Sequence, residues 1–337
     1  MISLAVKYRP RNFSEVCEQS ATKVILEQQI ASGDIKNAYL FCGSAGCGKT
    51  TCARIFANAI NKGKGIPIEL DAASNNSVDD VRDIIQQAKL ASLDSEYKVF
   101  IMDEVHALSN SAWQAMLKVL EEPPAKSIFI MCTTEPQKIP KTILSRVQRF
   151  DFQRISFGAI VDRLEYVVKT EIENDSQIHY DMESLEFITK QSYGGMRDAL
   201  TLLEKSLAYS KDLTIENVTQ ALGIPSYDLL IRMFRAYFDY NKEERLKIIN
   251  EVYMSGYDLK LFIKHFTNFI LDFSKYVLGA SEYLDCPMTT EIKATFDEYA
   301  EVNTQEVLLA NLIKLQAEIK WNTNPKSRLE AWCITGE

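Results

Sequence analysis

The chain reads Gly43-Ser44-Ala45-Gly46-Cys47-Gly48-Lys49-Thr50-Thr51 directly after the apolar run Ala38-Tyr39-Leu40-Phe41-Cys42. A strand, a loop and the start of a helix in this order are what the phosphate-binding P-loop, G-x-x-x-x-G-K-[ST], requires. Its glycines let backbone N–H groups point at phosphate oxygens, its lysine reaches the β- and γ-phosphates, and its hydroxyl holds Mg²⁺. A chance match in a glycine-rich loop is the alternative, and the flanking pattern argues against it. The sequence therefore predicts a nucleoside triphosphate site with Lys49 and Thr50 in these roles.

A second element of the site is the hydrophobic run 98–102, which ends in Asp103 and Glu104. This is the layout of a Walker B element, in which Asp103 holds Mg²⁺ through water and Glu104 orients or activates the attacking water. Such a site works by positioning groups and by stabilising charge on the transferring phosphoryl group. The alternative is a strand followed by a solvated acidic turn. Because α/β sheets bind ligands at the carboxyl ends of their strands, the functional interpretation is favoured.

Length and composition limit the class of protein to which the chain can belong. A length of 337 residues suits two or three domains, and 46% hydrophobic with 25% charged residues is typical of a soluble globular protein. We expect no membrane span and a cytoplasmic location, because no apolar run approaches about 18 residues and no signal peptide is evident. The seven cysteines form no C-x-x-C pair, which disfavours both a disulfide framework and a four-cysteine zinc site. A net charge of −8 argues against indiscriminate coating of nucleic acid, although it allows a local basic surface.

The hydrophobic pattern predicts three consecutive domains. Short apolar strands alternate with amphipathic helices from Ala38 to Phe152, which is typical of a parallel sheet with crossover helices and indicates an α/β core over 1–155. No strand pattern is convincing after Phe152. Helical periodicity predicts a small helical domain over 156–224, and long amphipathic segments then predict an all-helical domain over 225–337.

Several residues have side chains that can act in catalysis or binding, but the sequence around each of them is only weak evidence of such a role. The hydroxyl of Thr134, after the strand near 128–132, could contact the γ-phosphate or its water, although threonine is common at strand ends. Taken singly, Arg146 and Arg197 are better explained as ordinary solvated side chains than as functional groups. Arg82 belongs to a polar helix stripe that could follow a phosphate backbone or simply face water. The three histidines, His106 among them, lack metal-ligand spacing, so structural roles are favoured.

In this order, the motifs resemble those of the gamma/tau family of bacterial DNA polymerase III, the AAA+ ATPases of the sliding-clamp loader. The resemblance runs nearly end to end. Its landmarks are Lys7-Tyr8-Arg9-Pro10 with Phe13 and Val16, the P-loop, 69–75, Asp103-Glu104-Val105-His106, 117–124, 133–140, 143–146 and 195–200.

The resemblance implies a role for each site residue. The predicted ATP-binding residues are Tyr8, Arg9, Pro10 and Val16 on the base side, and Gly43, Ser44, Ala45, Gly46, Cys47, Gly48, Lys49, Thr50 and Thr51 in the P-loop. Thr134 corresponds to sensor 1, and Arg197 to sensor 2, which reaches from the lid onto bound ATP. Arg146 corresponds to the arginine finger that acts in trans on the ATP site of a neighbouring subunit. By the same resemblance, residues 1–155 correspond to an AAA+ core, 156–224 to a helical lid, and 225–337 to an all-α collar through which a pentamer assembles.

The chain also departs from the family pattern. Relatives usually carry a four-cysteine zinc module after the P-loop helix, but here only 62–67 separate that helix from the next strand, so we predict no zinc. Positions that are basic on the DNA-facing loops of many relatives are Asn75, Ser77 and Asn110 here, which leaves Arg82 as the candidate for DNA contact. The extension of the long form after Trp332 is missing, which resembles the short, gamma-like form.

The sequence thus predicts an ATPase that converts ATP to ADP and phosphate with Mg²⁺ as cofactor. Its expected task in DNA replication is to open a sliding clamp and place it on primer-template DNA, together with other loader subunits and copies of itself. It would belong to the polymerase III holoenzyme without a polymerase active site of its own. The alternatives are a small-subunit loader of the replication factor C type, a non-hydrolysing structural subunit, and a small-molecule P-loop kinase. The intact Lys49, Thr50, Asp103 and Glu104 disfavour the structural subunit.

Overall fold

The computed structural model describes residues 2–90, 92, 94–302 and 304–336. By its internal contacts the chain divides into two units. The first contains Met1–Asp175 and Ile188–Glu204, and the second contains Ser176–Phe187 and Lys205–Glu337. The three domains with limits at 155 and 224 stay a prediction.

The first unit is built on a five-stranded parallel sheet. Its strands are β1 (Ala38–Cys42), β2 (Ile68–Asp71), β3 (Lys98–Asp103), β4 (Ser127–Thr133) and β5 (Gln148–Asp151), in the order β2-β3-β4-β1-β5. This confirms the predicted parallel sheet. Asp71 pairs in register with Asp103, and Cys42 with Thr133, so the polar strand ends meet at one edge.

Helices cover both faces of this sheet. In chain order, the helices of the first unit up to residue 174 are α1 (Leu4–Lys7), α2 (Ser20–Ser32), α3 (Lys49–Ile60), α4 (Val78–Lys89), α5 (Asn110–Glu121), α6 (Lys141–Leu144) and α7 (Phe157–Asn174). Of these, α2 and α3 pack on one face of the sheet, and α4 and α5 pack on the other. Ser77 and Asp80 form a reciprocal capping box that begins α4, and Ser109 caps α5. Alternate residues of the central strands enter two separate cores: Phe100 and Phe129 pack on the α4 and α5 side, whereas Tyr39 and Ile130 pack on the α3 side.

The second unit is helical. Its elements include β6 (His179–Tyr180), β7 (Asp212–Leu213), α10 (Ile215–Leu222), α11 (Tyr227–Phe238), α12 (Lys242–Met254), α13 (Leu259–Val277), α14 (Thr290–Tyr299), α15 (Gln305–Lys320) and α16 (Pro325–Thr335). Helices α8 (Met182–Gln191) and α9 (Met196–Tyr209) have residues in both units. The expectation of no strand after Phe152 is wrong, because β6 and β7 pair in parallel. They are only two residues long, too short for a periodic pattern to show.

One hydrophobic core fills the second unit. Phe234, Phe266, Phe273 and Trp332 are fully buried within it, and the ring of Phe234 meets that of Phe273 edge to face at a centroid distance of 4.9 Å. This agrees with the predicted all-helical segment. No helix among the described residues is both long and apolar enough to cross a membrane.

Candidate functional site

The P-loop adopts a backbone that only glycine takes up readily. Gly46 has a φ of 71° and Gly48 a φ of 102°, both in the left-handed region. The side chain of Lys49 is 6% exposed, and its Nζ donates to the carbonyl oxygens of Gly43 at 2.9 Å and Ser44 at 2.8 Å. Within the described part of the chain, the buried Ser44 hydroxyl has no hydrogen-bond partner. A loop that folds around its own lysine and leaves a buried polar atom unsatisfied fits a phosphate group.

The predicted magnesium ligands lie side by side. The Thr50 hydroxyl, at the start of α3, donates to Asp103 Oδ2 at the end of β3 over 2.8 Å. A hydroxyl and a carboxylate are the hard oxygen ligands that Mg²⁺ prefers. The donor set therefore fits Mg²⁺, and β3 and α3 bring it together from positions 53 residues apart.

The P-loop forms one wall of a cavity that gathers most of the predicted nucleotide residues. Those that line it are Tyr8, Arg9, Pro10, Val16, Gly46, Cys47, Gly48, Lys49, Thr50, Thr51 and Arg197. Gly43, Ser44 and Ala45 do not line it; Ser44 and Ala45 line a shallow neighbouring depression. The structure therefore brings together, in the first unit, the residues predicted for the base side and the phosphate side and the arginine predicted as sensor 2.

Other lining residues were not predicted, namely Ala5, Cys17, Ile155, Arg163, Met196 and Leu200. Arg163 Nη2 donates to the Tyr8 carbonyl at 2.9 Å, and its guanidinium lies 5.0 Å from the centroid of the Tyr166 ring. No motif marks Arg163; the only sequence signal is a basic residue on α7 one turn before Tyr166.

The residues that precede the P-loop form an N-terminal arm, residues 2–10. Lys7 Nζ pairs with Glu171 of α7 at 2.6 Å, and the Tyr8 hydroxyl donates to the same carboxylate. The Leu4 amide donates to Glu204 of α9 at 3.1 Å. Burial and the Glu171 carboxylate raise the pKa of Tyr8, so its phenol stays protonated. The arm is thus held against α7 and α9, where Tyr8 forms one side of the cavity.

A second contact joins the P-loop to the start of α9. The Met196 amide donates to the Gly46 carbonyl at 3.1 Å, and a Cβ on Gly46 would lie 2.9 Å from the Cα of Gly195. This close approach places Arg197, the next residue, on the cavity wall.

The Walker B glutamate lies in a polar cluster. Glu104 has left-handed backbone torsions, and its Oε2 accepts from the Thr134 hydroxyl at 2.9 Å and the Thr134 amide at 3.3 Å. His106 Nδ1 lies 3.2 Å from the same oxygen, and its Nε2 lies 3.2 Å from Glu135 Oε1. The predicted catalytic residues Glu104 and Thr134 are therefore in direct contact. His106 belongs to the same cluster, which no sequence pattern predicts.

Arg146 lies apart from this cavity. Its Nη2 donates to Glu121 at the end of α5 over 2.8 Å, and its Nη1 donates to the Thr142 carbonyl at 2.8 Å. The side chain is about one-third exposed. Arg146 is not among the residues that line this cavity, and its action on a neighbouring subunit stays a prediction.

Arg82 lies on the outer surface of α4. It pairs with Asp79 at 2.8 Å, and with Lys89 and Lys118 it lines an open groove between α4 and α5. The acidic Glu122 also lines this groove, and the contact of Arg82 with DNA stays a prediction.

The cysteines are free thiols in the described residues. Burial raises the pKa of Cys52 to about 12 and that of Cys42 to about 11, which keeps both thiols neutral. Within residues 2–90, 92, 94–302 and 304–336, no group of three or more His, Cys, Asp or Glu side chains could hold a metal ion. The absence of zinc stays a prediction.

The fold and the site define a P-loop ATPase domain of the AAA+ class. Among solved structures, the RuvB Holliday junction branch migration motor of Thermotoga maritima superposes with a TM-score of 0.53 at 17% identity, covering 69% of this chain and 80% of that one. This likeness shows the fold.

Family models and curated relatives go further. Residues 66–156 match the model of the DNA polymerase III delta subunit, and residues 159–212 match that of the ATPase lid domain of DNA polymerase III clamp loader subunits. The DNA polymerase III subunit tau of Bacillus subtilis is 37% identical over 95% of this chain. The subunit gamma of Buchnera aphidicola from Schizaphis graminum is 30% identical over 97% of this chain and 95% of its own length. The chain therefore belongs to the gamma/tau family of DNA polymerase III clamp-loader subunits, which confirms the resemblance. It spans 60% of the length of the Bacillus relative.

Proposed function

We propose that this chain is an ATP-hydrolysing motor subunit of a sliding-clamp loader, which opens the clamp and places it on primer-template DNA. The observation that carries the proposal is the convergence of Lys49, Thr50, Asp103 and Glu104 at one edge of the sheet, with Thr50 and Asp103 joined at 2.8 Å. Family membership supports the loader role.

ATP would lie in the cavity between the N-terminal arm and the P-loop. Tyr8, Pro10 and Val16 would contact the base, and backbone amides of residues 43–51 the phosphates. Lys49 would exchange its two carbonyl partners for phosphate oxygens. Mg²⁺, when bound, neutralises charge on the β- and γ-phosphates, and Thr50 and Asp103 would hold it.

Hydrolysis would depend on charge placed around the γ-phosphate. Glu104 would orient the attacking water, Thr134 would hold Glu104, and Arg197 would reach the phosphates from the start of α9. Arg146 would act in trans on a neighbouring subunit, since it lines no part of its own cavity.

Partners follow from the same proposal. The chain would assemble with other loader subunits and with copies of itself, bind the sliding clamp, and contact DNA through the groove that carries Arg82.

The test separates ATP binding from hydrolysis. In Glu104→Gln, the amide keeps the shape of the carboxylate but cannot act as one toward water, so we expect ATP affinity within about threefold and a fall in kcat of at least about 10². In Lys49→Ala, binding itself should be lost. Isothermal titration and phosphate release measure both quantities, with Glu69→Gln as control because Glu69 pairs with Arg54 and does not line the cavity. Parental hydrolysis in Glu104→Gln would contradict the assignment.

A further inference from the structure

His106 lies between two carboxylates where β3 and β4 end. Its Nδ1 is 3.2 Å from Glu104 Oε2 and 3.3 Å from the Thr133 hydroxyl, and its Nε2 is 3.2 Å from Glu135 Oε1. The side chain is 18% exposed. Each ring nitrogen therefore lies 3.2 Å from a carboxylate oxygen, and the side chain is partly buried. This differs from the structural role expected of an isolated histidine.

The chemistry of imidazole makes this arrangement informative. A neutral ring carries one N–H and a doubly protonated ring carries two, so either nitrogen can bring an N–H toward the carboxylate oxygen that lies 3.2 Å from it. The hydrogen bond at Nδ1 is with the Thr133 hydroxyl, whereas the approach of Nδ1 to Glu104 and that of Nε2 to Glu135 are close polar contacts.

All of these contacts on Glu104 fall on one oxygen. Oε2 faces His106 Nδ1 and accepts from the hydroxyl and the amide of Thr134. The backbone of Glu104 is also held in the left-handed region, at a φ of 49°. A carboxylate whose Oε2 accepts two hydrogen bonds and lies 3.2 Å from an imidazole nitrogen is restricted in its orientation, which is what orienting a water molecule requires.

We propose that His106 is a positioning residue for Glu104: it holds Oε2 at the end of β4 and thereby directs Oε1 toward the attacking water. This goes beyond the proposed function, and its kinetic consequence rests on that function. The second nitrogen of the ring extends the contact to Glu135, whose Oε1 also accepts from Lys138 Nζ at 2.9 Å. Lys138 ends a short 3₁₀ turn (Pro136–Lys138) that leads into α6 and then Arg146. His106 thus joins Glu104 to the segment that carries the arginine finger.

Two substitutions at residue 106 separate the two ring nitrogens. An asparagine amide occupies the place of Nδ1 and can still donate to Glu104, whereas a glutamine amide reaches the place of Nε2 and serves Glu135 instead. We expect His106→Asn to keep kcat within about threefold and His106→Gln to lower it about tenfold, with KM for ATP within about twofold in both. The control is His179→Asn, an exposed histidine of β6, which should leave both constants unchanged. Equal kcat in the Asn and Gln variants overturns the proposal.

A spectroscopic test needs no ATPase activity. The chain has three histidines, so long-range ¹H–¹⁵N spectra of protein labelled at histidine give three ring patterns, and His106→Asn assigns one of them. Glu104→Gln should shift mainly Nδ1 of His106, and Glu135→Gln mainly Nε2, with His179 and His265 unchanged. Ring nitrogens of His106 that respond to neither variant overturn the contact.

The two tests distinguish the two proposals. The expected nitrogen shifts in a chain that hydrolyses no ATP would support the His106 contact and contradict the proposed function. Glu135 is about one-third exposed, so Glu135→Gln keeps the contact testable even where a variant at residue 106 fails to fold.

Discussion

At the scale of single residues, His265 links pH to the stability of the second unit. It lies on α13, between the buried rings of Phe262 and Phe266 in sequence. Burial, the larger cause, and the charge of Lys264 together lower the pKa of its imidazole to about 4.

The sign of the effect follows from proton binding. In the unfolded chain His265 has a pKa near 6.5, so between about pH 6.5 and about pH 4 the unfolded state binds more protons than the folded one. Stability is therefore present above about pH 6.5 and falls as the pH approaches about 4, by an amount on the order of 3 kcal/mol. We expect His265→Gln to lose less stability over this range, measured as thermal unfolding midpoints at pH 7 and pH 4.5. An identical drop in both proteins would exclude His265 as the cause.

Residues of the site differ in how far the sequence predicts them. Lys49, Thr50 and Asp103 are predictable because phosphate and Mg²⁺ impose a short, fixed spacing on their ligands. The contacts of Arg163 and His106 are not, because each side chain meets a residue distant in sequence: Tyr8 lies 155 residues from Arg163, and Thr133 lies 27 residues from His106. Only the folded chain brings such pairs together.

At the scale of elements, the approach of the P-loop to α9 predicts a coupled effect. Gly46→Ala would place a Cβ in the left-handed region and 2.9 Å from the Cα of Gly195, which must then shift with Arg197. We expect ATP affinity to weaken about tenfold or more, measured by isothermal titration. Gly33→Ala is the matched control, because Gly33 has a similar φ of 73° with no atom within 4 Å of its Cβ.

A double-mutant cycle tests whether this effect passes through Arg197. If Gly46→Ala displaces the start of α9, then Arg197→Ala should cost little further affinity in that background, although it weakens binding in the parent. Fully additive losses would show that Gly46 acts on the phosphates alone.

Among the elements, periodicity predicts long segments well. The apolar runs 38–42, 68–70, 99–102, 128–132 and 147–152 predict the strands of the sheet within about two residues, and the helical periodicity over 182–191, 196–209 and 215–222 coincides with α8, α9 and α10. The strands β6 and β7 could not be predicted, because each has two residues and its partner lies more than 30 positions away. Short parallel pairings depend on tertiary structure rather than on local pattern.

At the scale of the whole molecule, the position of Arg146 predicts that ATP hydrolysis requires residues from two neighbouring subunits. In one chain it is bonded to Glu121 and Thr142 and lines no nucleotide cavity. Arginine fingers contribute about 10³ to 10⁵ in rate, or roughly 4 to 7 kcal/mol. Arg146→Ala should therefore lose most of the stimulated ATPase of the assembled loader while each chain still binds ATP.

Mixed assemblies make this prediction decisive. Combining Arg146→Ala chains with Lys49→Ala chains should restore part of the activity, because some interfaces then pair an intact P-loop with an intact arginine. Arg149→Ala serves as control, since Arg149 pairs with Asp151 on the same strand. No recovery at any mixing ratio, with co-assembly confirmed by native mass spectrometry, would rule out a shared site.

The division of the whole chain is harder to predict than its elements. Residues 188–204 group with the first unit by their internal contacts, while the helical domain expected over 156–224 stays a prediction. The hydrogen bond between Met196 and Gly46 and that between Leu4 and Glu204 explain this grouping. Such tertiary hydrogen bonds produce no periodic pattern of residues in the sequence.

The N-terminal arm has a consequence for the order of events during synthesis. The ribosome makes this arm well before the groups that hold it: Glu171 follows Lys7 by 164 residues, and Glu204 follows Leu4 by 200. Until α7 and the start of α9 have emerged, the arm has no surface to pack on and the entropy of the open chain opposes its docking. A nascent chain that already displays a finished P-loop therefore lacks one side of its nucleotide cavity, and capture of ATP becomes a late step in the making of the protein.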